Sequence, residues 1–584
     1  EPLELNLIGP MSMWKGRILM NRLRFAAMFF ALTLAIVGCA EIPRSGPVEK
    51  VSPSGNSASP VGLVAQPPAD GATPQQIVNG FILASQAGVD DNFSVAREYL
   101  HADAAANWQP LAQIRLYPDT QNIALNTLES GAVEATVGTY GSVSAGGTFT
   151  ETRNEAVATA EFSLAKNAKG QWRIVSLDDG IFLPKAFFSQ KFVEIPLYFL
   201  SSDSNYLVAD LRYYLKKSFA TNAVEGLASG PSQWLADGVH TAIPSGTQVT
   251  KTFVSNGEAE VDLSNQVLSA TPEQQALMVA QIRRTLSMSN DVRSVKVTVG
   301  GSPLKVEAAK SLPPYPFGSY PVSVVSNGAP GMLQREGVVK SFMKDKSAQS
   351  GGLNSIAASY QAGQSAFAAT ANNKTQLVAF DVAKGSWWVA KQGANLVSPS
   401  YDTFGWVWSG EYDNGGSFTV ANPSSETEKT IPVSWLRGAK VRDIAVSRDG
   451  SRIVVVSEQA GVVTIQAAAI HRNSDARNEP TQIGDPMPIG QPLEDVVDVA
   501  WIGPTKIAVL GRTSTGSEWG LYAVRIGGPS ERLMAPYADT VAITAGRDEG
   551  SIIALTKKNV AYSREGGSWR SITVPPVTSV ALPG

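Results

Sequence analysis

The chain has 584 residues, 43% of them hydrophobic and 17% charged, and a formal net charge of −3. A nucleic-acid surface draws on an excess of lysine and arginine, so DNA and RNA are excluded as principal partners; 52 glycines and 35 prolines beside so few charges point to a turn-rich, β-dominated molecule. The single cysteine, Cys39, excludes intramolecular disulfides, so stability must come from burial.

At the N-terminal end, Lys15, Arg17, Arg22 and Arg24 precede an apolar run from Phe25 to Val37, interrupted only by Thr33. A positive flank followed by an apolar core is the order of a secretory signal. The run has 13 residues, whereas a permanent span needs about 20, so residues 1–38 read as a removable signal peptide. The acids in Glu1 to Ser12 are foreign to such a flank and point to a later start at Met11, Met13 or Met20.

Ile36-Val37-Gly38 lead directly into Cys39. These residues resemble the bacterial lipoprotein box. The resemblance implies cleavage between Gly38 and Cys39, an S-diacylglycerol thioether and an N-palmitoyl group on Cys39, and attachment to the extracytoplasmic face of the cell membrane. A thiolate is the strongly nucleophilic side chain such chemistry needs. Two or more acyl chains give the stable anchoring that one chain does not. Residues 39–72, rich in Pro, Ser, Gly and Val, bury too little apolar surface to fold and read as a disordered tether.

Residues 73–193 open with TPQQIVNGFILASQA, where Thr73 is a candidate N-cap, Pro74 the first helical residue, and Ile77, Phe81, Ile82 and Leu83 an apolar face. A second helix is expected at NFSVAREYL. Alternating strands follow, closing on Phe162-Ser163-Leu164 and Gln171-Trp172-Arg173-Ile174. Two helices and a curved sheet resemble the nuclear-transport-factor-like (NTF2-like) α+β cone.

Residues 195–306 combine a strand, turn and strand in LYFLSSDSNYLVADLR with AVEGLASGPSQW, TAIPSGTQV, a helix at TPEQQALMVAQIRRTL and a strand in VRSVKVTVGG. Leu227, Gly230-Pro231, Ile243-Pro244, Gly246-Thr247 and Val261-Asp262-Leu263-Ser264 resemble the GerM-type α+β domain, which implies a module for binding partners or wall material without established catalysis. Gly230-Pro231 should end a helix and Pro244 to Gly246 should make a turn.

Residues 321–584 repeat. Similar units begin at Leu353, Val397, Val441, Val496 and Thr540, spaced by 44, 44, 55 and 44 residues, close to the period of a four-stranded propeller blade. HRNSDARNEPTQIGDPMP leaves room for a loop in the long unit. The terminal VTSVALPG lacks later strands, while VSVVSNGAPGMLQREGVVKSF lacks a first one, and joining the two would close a ring and cover exposed edges. The expectation is a six-bladed β-propeller, with five or seven blades as the neighbouring counts.

Chemistry-bearing motifs are sparse. HExxH, GxxxxGK[ST], GxSxG and EF-hand patterns do not occur, and His101, His240 and His471 fall one to a region. No catalytic residue, metal ligand or cofactor is therefore assigned, and a non-enzymatic protein is expected. Asp90-Asp91 and Asp178-Asp179 read as turn and cap residues, since strand neighbours point to opposite faces. Ser447-Arg448-Asp449-Gly450 reads as a blade turn, with Asp449 bonding its own backbone and Gly450 at positive φ. Trp387, Trp388, Trp406, Trp408 and Trp435 read as inter-blade packing, with sugar stacking or a protein-binding hot spot as the alternative.

A lipobox, a GerM-type domain and a C-terminal propeller in this order resemble the LpqB family of actinobacterial lipoproteins. The resemblance implies an accessory protein that contacts the extracytoplasmic domain of the sensor histidine kinase MtrB and modulates the MtrAB two-component system, affecting cell-wall homeostasis and division. The competing readings are a propeller that binds or cleaves envelope glycans, which would need convergent carboxylates, and a ligand-binding lipoprotein serving a transporter, which would need an apolar pocket in the cone-like domain.

Overall fold

The computed structural model describes residues 65–583 apart from residues 90, 307–310, 317–320, 335–336, 338, 342–351, 361–365, 382–385, 474–477, 515, 535, 567 and 574–575. The expected signal segment, Cys39 and most of the tether lie outside the described residues.

The first helix, Pro74–Ala87, starts where Thr73 predicts. The Thr73 hydroxyl accepts the Gln76 N–H at 3.3 Å and the Gln76 side-chain oxygen accepts the Thr73 N–H at 2.8 Å, a reciprocal cap that satisfies two orphan donors. Its inner face buries Ile77, Val78, Phe81 and Ile82. The second expected helix is only one turn, Ser94–Arg97. It leaves from Phe93 in the left-handed region, and Leu100 is soon drawn into a parallel bridge with Ile174. A further short helix, Ala102–Asn107, follows. The strands divide between two four-stranded sheets instead of one continuous sheet. Between them Phe81 packs against Trp108 and Phe162 at 5.0 and 5.8 Å between ring centroids, and Trp108 also meets Phe93.

A long antiparallel hairpin, Phe192–Ser201 with Leu207–Leu215, joins this region to the next. The second strand is buried at every position, and its alternation serves two cores. Leu211, Tyr213 and Leu215 enter the first domain's core, whereas Val208 and Tyr214 enter the middle domain's core with Ile195, Leu197 and Phe199. Asp210 and Arg212 form a buried ion pair at 2.8 Å. Asp210 also accepts the Ser232 N–H and hydroxyl, and Arg212 donates to the Gly146 carbonyl, so one pair holds loops of both domains.

The middle domain has a sheet of Val249–Ser255, Glu258–Leu263, Ser294–Val299 and Ser302–Pro303, packed by the helices Phe219–Ser229 and Pro272–Leu286. The first of these helices ends at Gly230, φ 95°, which a side chain would strain. The second begins with another reciprocal cap, between Thr271 and Gln274. Asp262 ties three strands together: its carboxylate accepts the Thr250 and Thr298 hydroxyls at 2.7 and 2.6 Å and the Gly301 N–H at 2.8 Å. Those bonds hold its pKa below the usual carboxylate range. A depressed pKa means stability that is present above the unfolded-state value and is lost as pH falls through the folded one. Asp262→Asn should therefore flatten the acid limb of the stability profile of this domain, as followed by urea unfolding between pH 5 and 2.5; an unchanged limb would remove Asp262 from the account.

Among the described residues from Ser323 onward, six antiparallel sheets follow one another. Their innermost strands are Leu353–Ala358, Ser400–Tyr401, Lys440–Val446, Asp495–Trp501, Thr540–Thr544 and Ser579–Ala581, and each packs on the next until the last meets the first. The terminal strand Ser579–Ala581 pairs with Ser323–Ser326, so the two ends of this region build one sheet between them. The insertion in the long unit is more than a loop. Val462–Asn473 is a 12-residue strand that pairs with both Glu479–Ile483 and Met487–Ile489.

Candidate functional site

The ring encloses a cavity of about 320 Å³ lined by its six innermost strands. Small side chains, among them Ala357, Ala445, Ala500 and Ala581, leave this space open. Five seams of the ring are closed alike, by a side-chain oxygen of one innermost strand that accepts a backbone N–H from the next sheet. The pairs are Ser400 with Val446, Asp443 with Val499, Asp498 with Ile543, Thr544 with Leu582 and Ser579 with Ile356, at 2.6 to 3.1 Å. Each such bond contributes about 0.5–1.5 kcal/mol net, and removing the acceptor strands a buried donor at a cost of about 1–3 kcal/mol.

Two of these acceptors are carboxyls in contact. The Val499 N–H is shared between Asp443 Oδ2 at 2.9 Å and Asp498 Oδ1 at 3.0 Å, and the two side chains hydrogen-bond each other. Burial pushes both pKa values up, and the negative charge of Asp498 adds to the effect on Asp443, which we assign as the protonated member. Asp498 keeps some surface where it lines the cavity, yet protein surrounds it. Glycosidase carboxyls stand about 5 to 9.5 Å apart across a sugar. This pair is closed on itself and bound to backbone amides, an arrangement suited to holding strands.

The end of the ring past Ala445 is spanned by arginine. Arg448, from the turn after Lys440–Val446, donates Nε to the Pro583 carbonyl and Nη2 to the carbonyls of Trp501 and Ala545, reaching three other sheets. Its guanidinium lies 5.8 Å from the Tyr315 ring. In the same turn Asp449 accepts the Ser447 hydroxyl, the Ser451 N–H and Arg452 Nη2, the last at 2.6 Å. Gly450 takes φ 74° as the turn requires. Arg452 also donates to the Ala209 carbonyl of the long hairpin and lies over the Trp501 ring. The turn is thus the seat on which the middle domain docks. Gly238 lies so close to this seat that a Cβ would stand 2.7 Å from the Ser451 carbonyl.

A second buried pair sits nearby. Asp402 accepts Arg472 Nη2 at 2.6 Å, the backbone N–H groups of Phe404 and Trp406, and Trp408 Nε1. The first domain docks separately on the sheet led by Asp495–Trp501 and its approaches: Glu151 accepts the Ser530 N–H and hydroxyl at 2.7 and 2.8 Å, and Asn154 donates to the Pro492 and Thr513 carbonyls. Burial raises the Glu151 pKa against these bonds.

The residues singled out from sequence are scattered. Cys39 and Gly38 are outside the described residues, as is Asp90. Asp91 accepts the Phe93 N–H and the Ser94 hydroxyl in the turn ahead of the one-turn helix, whose N-cap is Phe93, and Asp179 accepts the Gln109 N–H. His101 precedes a short helix, His240 contacts Ser204 and His471 contacts Thr481. Among the described residues no group of three His, Cys, Asp or Glu side chains is placed to hold a metal ion. Of the five tryptophans, Trp406 and Trp408 are core, Trp388 packs between sheets, Trp435 donates to the Gly484 carbonyl, and only Trp387 is exposed. The Asp443–Asp498 pair was missed. Its signal is the alignment of Val441-Arg442-Asp443 with Val496-Val497-Asp498, which puts an acid at the same place in successive units, after the same register shift.

Comparison with known proteins assigns all three regions. Residues 67–189 match the family described as Lipoprotein LpqB, N-terminal domain; residues 196–305 match the Germane domain, described as Sporulation and spore germination; residues 341–583 match the Lipoprotein LpqB beta-propeller domain. The chain is 25% identical to Lipoprotein LpqB of Cutibacterium acnes, over 95% of this chain and 98% of that one. It is 27% identical to Lipoprotein LpqB of Bifidobacterium longum, over 77% and 79%. Among solved structures, the first GerMN domain of the sporulation protein GerM from Bacillus subtilis is 26% identical over 21% of this chain and 92% of that one, with a TM-score of 0.18. Among the described residues no helix is long and apolar enough to cross a membrane.

Proposed function

Because the chain belongs to the LpqB lipoprotein family, we propose that it is a lipid-tethered accessory protein, held at the extracytoplasmic face of the cell membrane through Cys39, that binds the extracytoplasmic domain of the sensor kinase MtrB and modulates the MtrAB system. The observation that carries this reading is the match of both LpqB family models, one to each end of the body, with Ile36-Val37-Gly38-Cys39 ahead of the first. The tether expected over residues 39–72 would keep the body close to the membrane surface. Confinement of that kind raises the effective concentration of the body near a membrane-embedded partner, so a contact of modest affinity suffices. For the kinase to respond, one of its conformations must bind this protein better than the other.

The test compares the intact chain with Cys39→Ser in native membranes after cross-linking. The serine variant should leave the membrane fraction, with recovery of the kinase falling about 100-fold or more. A serine variant that still pellets with membranes and recovers the same partners would contradict the tether. An intact, membrane-bound chain that never cross-links to the kinase would contradict the partner.

A further inference from the structure

We propose that the Asp443–Asp498 pair is a proton-held clasp of the propeller ring, closing the seams among three successive sheets when it shares a proton and loosening them when it loses it. The clasp concerns the propeller alone and stands whether or not Cys39 carries lipid.

The geometry supports it in three ways. One backbone N–H, that of Val499, is divided between an oxygen of each carboxyl, which forces the two oxygens together at the seam between Lys440–Val446 and Asp495–Trp501. Asp498 Oδ2 is committed to the Ile543 N–H of the following sheet at 2.6 Å, so the pair spans two consecutive seams. Among the described residues, the groups that face the pair offer no counter-charge. Ser400 and Ser355 come from the preceding strands, and Ser579 from the terminal one. Lys374 borders the same cavity but is exposed, and Arg448 is occupied by carbonyls past the other end. Arg442 lies on the same strand but is bound to Glu458 and Asp495. Two full negative charges here would face each other in a poorly solvated interior with only backbone amides to offset them, whereas one proton removes one charge and supplies the missing donor.

The sign of the effect follows. The folded ring binds this proton more tightly than the unfolded chain, so the contribution is complete below the ordinary aspartate value of 3.8 and is lost as pH rises toward the raised value. One proton taken up on folding changes the unfolding equilibrium about tenfold per pH unit within that window. If the body works outside the cytoplasmic membrane, as proposed above, its ring is tightest when its surroundings are acid.

The experiment is hydrogen exchange on the full chain across pH 4 to 9, corrected for intrinsic rates and read on peptides covering Asp495–Trp501 and Thr540–Thr544. Protection there should fall by up to tenfold per pH unit, and Asp443→Asn, which keeps a donor without the titration, should remove that slope. Infrared difference spectra of the unsubstituted chain should show a protonated carboxyl band disappearing over the same range, a readout that remains if the variant fails to fold. An equal slope in Asp443→Asn, or no titrating carboxyl band, overturns the clasp.

Discussion

Asp402→Ala lowers the stability of the propeller by about 3–5 kcal/mol, the range expected when one member of a buried ion pair is removed. Arg472 and Asp402 have side-chain exposures of 1% and 0%, so the abandoned guanidinium has no water to turn to. It keeps the Gly450 and Asn478 carbonyls and the face of Phe404, yet those neutral partners do not balance its charge. Two backbone amides and the Trp408 indole lose their acceptor as well. Guanidinium chloride unfolding followed by tryptophan emission measures the change, and a loss under 1 kcal/mol would show that solvent reaches the pair. Replacing both residues with apolar ones of similar volume should recover much of the loss, because the cost lies in the unpaired charge.

Arg452→Ala acts at the seat of the middle domain and also costs about 3–5 kcal/mol. Asp449 is left buried at 2% exposure without its cation, although two of its bonds, from Ser447 and Ser451, survive. The Ala209 carbonyl loses its donor, and the contact with Trp501 disappears. The distinguishing consequence is mechanical: the middle domain should part from the propeller, so limited proteolysis cuts between them at concentrations that leave the unsubstituted chain whole. Arg452→Lys keeps the charge but loses the planar fork and should fall between the two. Resistance to protease equal to that of the unsubstituted chain would mean the remaining interface holds without this arginine.

Much of the architecture was legible because its signals are local. Thr73 with Pro74, Thr271 with Pro272, and Gly230 mark helix ends through backbone chemistry that needs no distant partner. The unit starts at Leu353, Val441, Val496 and Thr540 fall within a residue of innermost strands, since each sheet repeats the same apolar alternation. The turn at Ser447-Arg448-Asp449-Gly450 was legible as a turn, but its arginines were not legible as a docking seat. Arg448 and Arg452 find their partners up to 243 residues away, and an arginine beside a turn ordinarily reads as a solvated charge. NFSVAREYL misled for a related reason: its helical spacing is real, but Leu100 bonds into a distant strand and the helix stops after one turn. The tryptophans read as a cluster in sequence were separated by the ring, which turns alternate side chains of neighbouring strands toward different cores.

The hairpin Phe192–Ser201/Leu207–Leu215 bears on how such proteins can be cut, traded or inherited. A fragment ending where the first matched domain ends, at residue 189, would leave behind Leu211, Tyr213 and Leu215, and with them part of its own interior. The complementary fragment would carry those three side chains as an oily scar facing water. Modules that recombine freely need a clean joint, and this one is interleaved. The pair should therefore descend, express and melt as a single inheritance, even though sequence comparison draws a border between them.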